Sequence, residues 1–328
     1  TETTKTISHP ITPEITELRL AGQYAEVQIT GEDRADIETT LRVLSNAADD
    51  AEARRTAEAT VLLVDRAGAT ISFRSDYPVE GRQRAFLMIK VPARLRLRLE
   101  HEAPQVAVAN VSAVDVPAGR LQMSFKDIAG RLTVSHRGGE IEIENVGSLK
   151  FSGRGTEARI ARVRGEVAIT MQSGELDATE LGGPVDIETS DADIAIRQAE
   201  HTRGPIRINA TSGNLVIDGL QTETRIDGRN ADIAVSMTAP APITIYNQGD
   251  ERIALTPPPG GYTVDALAAD GRITIADDLR GAFTVEPKGD LDGERASGTA
   301  GGGGPTITLR ANHGNIAIRS RGDVKSTQ

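Results

Sequence analysis

The chain of 328 residues contains no cysteine and no tryptophan, and aromatic residues make up 3% of it. Without cysteine there can be no disulfide, thiolate nucleophile, cysteine-based zinc site or iron–sulfur cluster, and the redox compartment is left open. The shortage of aromatics weighs against a sugar-processing groove, where rings serve as platforms. Hydrophobic residues form 38% of the chain, yet no apolar run approaches the roughly 18 residues of a transmembrane helix. A net charge of −10 and a pI of about 5.2 argue against a nucleic-acid backbone as partner. Nucleophile elbows, phosphate loops and dinucleotide fingerprints are also missing from any strand-to-helix context.

What the sequence does have is a ruler. A phrase of the form Gly-x-apolar recurs at Gly174-Glu175-Leu176, Ala192-Asp193-Ile194, Gly213-Asn214-Leu215, Ala231-Asp232-Ile233, Glu251-Arg252-Ile253 and Gly271-Arg272-Ile273. Its apolar positions step by 18, 21, 18, 20 and 20 residues. An interleaved series, Val167, Val185, Ile206, Ile226, Ile243, Val264 and Phe283, keeps the same period. Two short strands per period of near twenty residues are the signature of a solenoid coil. Alternation within each strand, as in Ile194/Ile196 and Ile206/Ile208, fits a strand with one face buried. An antiparallel sandwich would also alternate, but it has no reason to make every second strand alike. The expected fold is all-β, a parallel β-helix with two-strand coils, an irregular β-rich N-terminal part and one short helix. Leu176, Ile194, Leu215, Ile233, Ile253 and Ile273 should form one interior column, in that order.

Residues 1–14, with Pro10 and Pro13, read as an extended leader. Residues 15–120 read as a β-rich part continuous with the solenoid. Within it, 46–59 form the one convincing helix, with Asp49 and Glu52 spaced as a capping box and Asp50/Arg54 at i,i+4. Its apolar face is nearly all alanine, so it should lie shallowly over an end or edge of the β structure. Strands also follow at residues 60–65, 70–74, 84–91 and 95–99. From 121 to 318 the chain should be β-helix repeats, approached through the pairs Val106/Val108, Val114/Val116, Leu121/Met123, Leu132/Val134, Ile141/Ile143 and Leu149/Phe151. Residues 286–304, with Gly298 and the run Gly301 to Gly304, read as a mobile insertion. The ruler returns at Ile307/Leu309 and Ile316/Ile318, and 319–328 form a polar tail.

The phrases Ser173-Gly174-Glu175-Leu176, Ser212-Gly213-Asn214-Leu215 and Gly314-Asn315-Ile316, with Val91-Pro92-Ala93-Arg94-Leu95-Arg96-Leu97, resemble the bacterial putative-adhesin family. This is a β-strand-repeat domain of unknown function, related to the head domain of autotransporter adhesins. The resemblance extends over about residues 15–318. It implies a β-helix-like, extracytoplasmic protein in the periplasm or on the cell surface. The start at Thr1 then reads as the product of signal-segment removal. The family offers no catalytic motif, and no functional residue carries over.

Outward acids were the place to look for chemistry, because β-helix lyases and hydrolases use carboxylates with a basic residue. The candidates are Glu175, Asp177, Asp186, Glu188, Asp191, Asp193 and Asp232, with Arg207 near the middle group. A soluble solenoid needs such acids on its outer faces in any case. The histidines at 9, 101, 136, 201 and 313 show no metal-ligand spacing and read as isolated surface residues. Asp290-Leu291-Asp292-Gly293-Glu294 lacks the full calcium-loop pattern, and Arg321-Gly322-Asp323 is a chance tripeptide. Arg94, Arg96 and Arg98 read as a solvated face paired with acids such as Glu100 and Glu102; the sharper alternative is a site for an anionic glycan or lipid headgroup. No catalytic, cofactor-binding or metal residue is assigned, and no cofactor is expected. The leading function is a non-catalytic adhesin or scaffold of the envelope, its partner a cell-surface glycan or envelope protein. A polysaccharide-active enzyme stands second, and a subunit self-associating through coil ends third.

Overall fold

The computed structural model describes residues 1–47, 49–77, 83–288 and 292–321, without the side chains of residues 101 and 102. The protein is a β-solenoid of stacked two-strand coils, with one α-helix among the described residues. It divides into two compact units, Thr1–Glu157 and Ala158–Gln328.

In the second unit, the strands Val167–Leu181, Val185–Arg197, Ile206–Leu220 and Thr224–Met237 pair in parallel, each with the next. Each bends at a left-handed corner, formed by Ser173, Asp191, Ser212 and Asn230 at φ between 54° and 61°. Polar side chains of this kind tolerate that conformation better than branched ones. The residue after each corner is Gly174, Ala192, Gly213 or Ala231 because the coils close in there. A Cβ on Gly213 would stand 2.3 Å from the Ala192 carbonyl oxygen. The repeating Gly-x-apolar phrase is therefore the far side of a corner. A Cβ on Gly228 would meet the tip of Ile233 at 2.8 Å, so the two halves of a coil face each other across the core.

The column Leu176, Ile194, Leu215, Ile233 and Ile253 stacks in register and is fully buried. Each member contributes about 1.5–3 kcal/mol of hydrophobic stabilisation. The next place belongs to Ile316, and Ile273 comes after it. The last coil in sequence, 306–318, therefore lies between coils 243–256 and 262–275, which corrects the expected order. On the other strand the order is likewise Ile243, Ile307, Val264. Ile206 stands beside Thr224, while Ile226 stands beside Ile208 and Ile245; equal spacing had put Ile226 two residues out of register. Phe283 does not continue the column either. It starts Phe283–Pro287, which pairs antiparallel with Glu294–Ala300, itself antiparallel on Tyr262–Ala268. Part of the stretch expected as a mobile insertion is thus a strand laid along the outermost coil, and glycine is needed at its bends, where Gly301, Gly302 and Gly303 all have positive φ.

The first unit shows the same two devices. Coil 17–32, the earliest in sequence, lies between coil 70–92 and coil 96–109, all parallel. Ala113–Arg120 and the start of Gln122–Val163 add the next coil. On the outer side of coil 70–92, Val61–Ala67 and Asp36–Ser45 pair antiparallel. The N-terminal segment is extended, but as the strand Glu2–Pro10 paired along Asp36–Ser45. The helix is Asp50–Ala59, with Asp49 as N-cap accepting from the Glu52 amide at 2.7 Å. It buries Ala53, Thr56 and Ala57, and the Lys5 ammonium donates to the carbonyls of Glu58 and Thr60 at its other end. Antiparallel strands on an outermost coil occupy hydrogen-bonding groups that would otherwise template further pairing.

Candidate functional site

The acids singled out from the sequence fall on two outward faces rather than in one groove. Asp186 and Glu188 lie on the strand before the Asp191 corner, Asp186 in register with Arg207 and Glu188 with Asn209. Glu175, Asp177, Asp193 and Asp232 lie beyond their corners, on the facing strand. There, Asp177 pairs with Arg197 at 3.1 Å and Asp232 with Arg252 at 3.1 Å. Asp193 accepts from the backbone amide and side-chain amide of Asn214 at 2.9 and 3.0 Å. These acids knit coil to coil. Among the described residues no group of three or more His, Asp or Glu side chains is placed to hold a metal ion.

Other expectations fare variously. Arg98 pairs with Glu100 at 2.6 Å and Asp115 at 2.9 Å, and Arg19 also binds Glu100. The hydrogen bond from Arg98, with that from Arg19, holds the Glu100 carboxyl below the usual range. Arg94 instead donates to the Ile15 carbonyl at 2.6 Å, a backbone tether. Glu102 and His101 have side chains outside the described set. His136 is no surface histidine: it is 2% exposed, with Nε2 3.1 Å from the Leu121 carbonyl and Nδ1 3.1 Å from Thr156 Oγ1. A carbonyl only accepts, so Nε2 carries the proton. Burial lowers its pKa below the ordinary histidine value. Glu294 accepts from the Ile273 amide at 2.5 Å, while Asp290 and Leu291 lie outside the described residues. Arg321 donates to the carbonyls of Pro257 and Met237; Gly322 and Asp323 are not described.

A concave site does exist, in the first unit. It has a volume of about 580 Å³ and is lined by residues at and beside the corners of coils 17–32, 96–109 and 113–126, among them Tyr24, Glu100, Pro104, Pro117, Arg120 and Leu121. The alternation Leu121/Met123 suggested two inward residues, but only Met123 is buried. Leu121 is 54% exposed at a left-handed corner. The site escaped notice because three segments distant in sequence supply it. Its one local signal is a leucine where the neighbouring coil has Gly138.

Residues 15–319 match the family described as Toastrack DUF4097. The chain belongs to the Toastrack DUF4097 family. This is an adhesin-like repeat family of unknown function, in agreement with the β-solenoid coils and with the resemblance carried by the Ser-Gly-x-Leu phrases. The crystal structure of a putative cell adhesion protein from Clostridium sporogenes aligns over 97% of this Toastrack chain and 100% of that one, at 9% identity and a TM-score of 0.21. A score that low carries no argument. No curated protein matches the chain.

Proposed function

We propose that this Toastrack chain is a non-catalytic interaction module exported to the bacterial envelope, where it contacts a surface glycan or an envelope protein. The observation that carries this reading is the engagement of Asp177, Asp193 and Asp232 with Arg197, Asn214 and Arg252 of adjacent coils. Carboxylates tied along the stack stiffen a repetitive polar face, and the Asp191 corner puts Asp186 and Glu188 on a different arm of the bent strand from Asp193. The antiparallel strands on the outermost coil of each unit favour a module that meets other partners over one that grows coil upon coil. Among the described residues no helix is long and apolar enough to cross a membrane. Glycan-array binding tests the proposal, with the envelope fraction of the source cell probed in parallel. Saturable binding by the folded chain, and recovery in that fraction, are expected. Recovery solely in the cytosol would overturn the exported role.

A further inference from the structure

We propose that the pocket beside Leu121 binds a small amphipathic anion, an apolar body carrying one carboxylate or sulfonate. The starting point is an anomaly of residue choice. Among the described residues eleven non-glycine residues have positive φ, and Leu121, at 60°, is the only apolar one of these. In this conformation a leucine side chain crowds its own backbone, a cost that glycine avoids. The adjoining coil meets the same corner with Gly138 at 64°, and the Leu121 amide donates to its carbonyl at 3.1 Å. Nor does the core require this leucine, since it is 54% exposed. Neither backbone preference nor burial accounts for it.

The corner is nonetheless held firmly. The ring of His136, itself tied to Thr156, grips the Leu121 carbonyl. A Cβ on Gly139 would stand 2.7 Å from the Leu121 Cα, so the next coil is packed directly against it. A strained, exposed apolar side chain fixed from behind is suited to present itself to a ligand. It faces a pocket of about 580 Å³ walled by Tyr24, Pro104 and Pro117, within the roughly 300–1,000 Å³ of small-molecule sites. The charges select the head group. Glu100, the one acid among the described lining residues, is bound by Arg19 and Arg98. Arg120, the one base among the described lining residues, is exposed to solvent and can receive an anion. The inference is independent of the proposed envelope role and of any glycan on the outer faces.

The test uses the full chain, the fluorescent sulfonate ANS as probe, and octanoate and octanol as competitors. The chain has no tryptophan to confuse the signal. Saturable, single-site ANS binding is expected at a temperature where the chain is fully folded, with octanoate displacing it at least about tenfold better than octanol. Leu121→Gly should weaken binding by about 10- to 100-fold, the loss of one apolar contact. It should also leave the thermal midpoint unchanged or higher, because the strain is relieved. Leu121→Asn, which tolerates the corner, should behave alike in binding, and Arg120→Gln should abolish the preference for octanoate. The proposal is overturned if ANS does not saturate, if Leu121→Gly and Leu121→Asn bind as the parent does, or if both lower the midpoint, which would make the leucine structural. Equal displacement by octanol and octanoate would overturn the anionic head group.

Discussion

Two cysteine pairs can read the coil order directly, because the chain has no cysteine of its own. Thr244, Thr308 and Asp265 point outward on three strands, in the order Thr244, Thr308, Asp265. Adjacent strands lie about 4.8 Å apart, so Thr244 and Thr308 are separated by roughly that distance and Thr244 and Asp265 by about twice it. A disulfide spans Cα separations of roughly 4.4–6.8 Å. Thr244→Cys with Thr308→Cys should therefore oxidise to a disulfide, and Thr244→Cys with Asp265→Cys should keep both thiols free. The first bond closes a loop of about 64 residues. It should stabilise the protein by up to about 4 kcal/mol through the entropy of the unfolded chain, less any strain. Thiol titration and non-reducing electrophoresis after mild oxidation read the pairing, and urea unfolding reads the stability. If the second pair closed and the first did not, the coils would follow sequence order and the interposed last coil would be wrong.

Three further outcomes follow from particular contacts. Ile316→Ala, at 0% exposure between two coils, should cost about 2–5 kcal/mol in urea unfolding and more than Ile273→Ala on the outermost coil, at 7%; the opposite ranking would refute the stacking order. Asp49→Ala removes the helix N-cap and should cost about 1 kcal/mol, seen as a lower unfolding midpoint and faster amide exchange in Asp50–Ala59. His136 has a lowered pKa in the fold, so at pH above the ordinary value of 6.5 both states are neutral and its full contribution is present. As pH falls below 6.5 the unfolded chain takes up a proton first, and stability declines until the folded-state pKa is passed. His136→Gln should flatten that part of the pH–stability curve, and an unchanged slope would contradict the neutral, buried assignment.

The parts of the fold legible in the sequence were those fixed by local rules. Leu176, Ile194, Leu215 and Ile233 announce their column through spacing, and Asp49 and Glu52 announce a helix start through capping. Coil order was not legible, because a period tells which residues are equivalent and not which coil is whose neighbour. Ile316 and Ile253 fit equally well against Ile273. Glu2–Pro10 was unreadable as a paired strand since most of its residues are polar and its partner, Asp36–Ser45, makes the contact from outside the ruler. The outward acids lie on the surface as expected, but the partners of Asp177, Asp193 and Asp232 one coil away could be assigned only once the register was known. His136 looked like any polar residue in a strand until its two nitrogens were seen to bridge adjoining coils.

In the proposed role Asp177, Asp193 and Asp232 tie coil to coil, and the module binds its partner without cleaving it. The most direct measurement is to incubate the folded chain with any hits of the glycan array, together with a panel of acidic polysaccharides. New reducing ends would report hydrolysis, and unsaturated uronic ends would report elimination. Neither is expected above the protein-free control, and every polysaccharide should be recovered intact. A product that forms with the parent chain and disappears in Asp186→Ala or Asp193→Ala would contradict it.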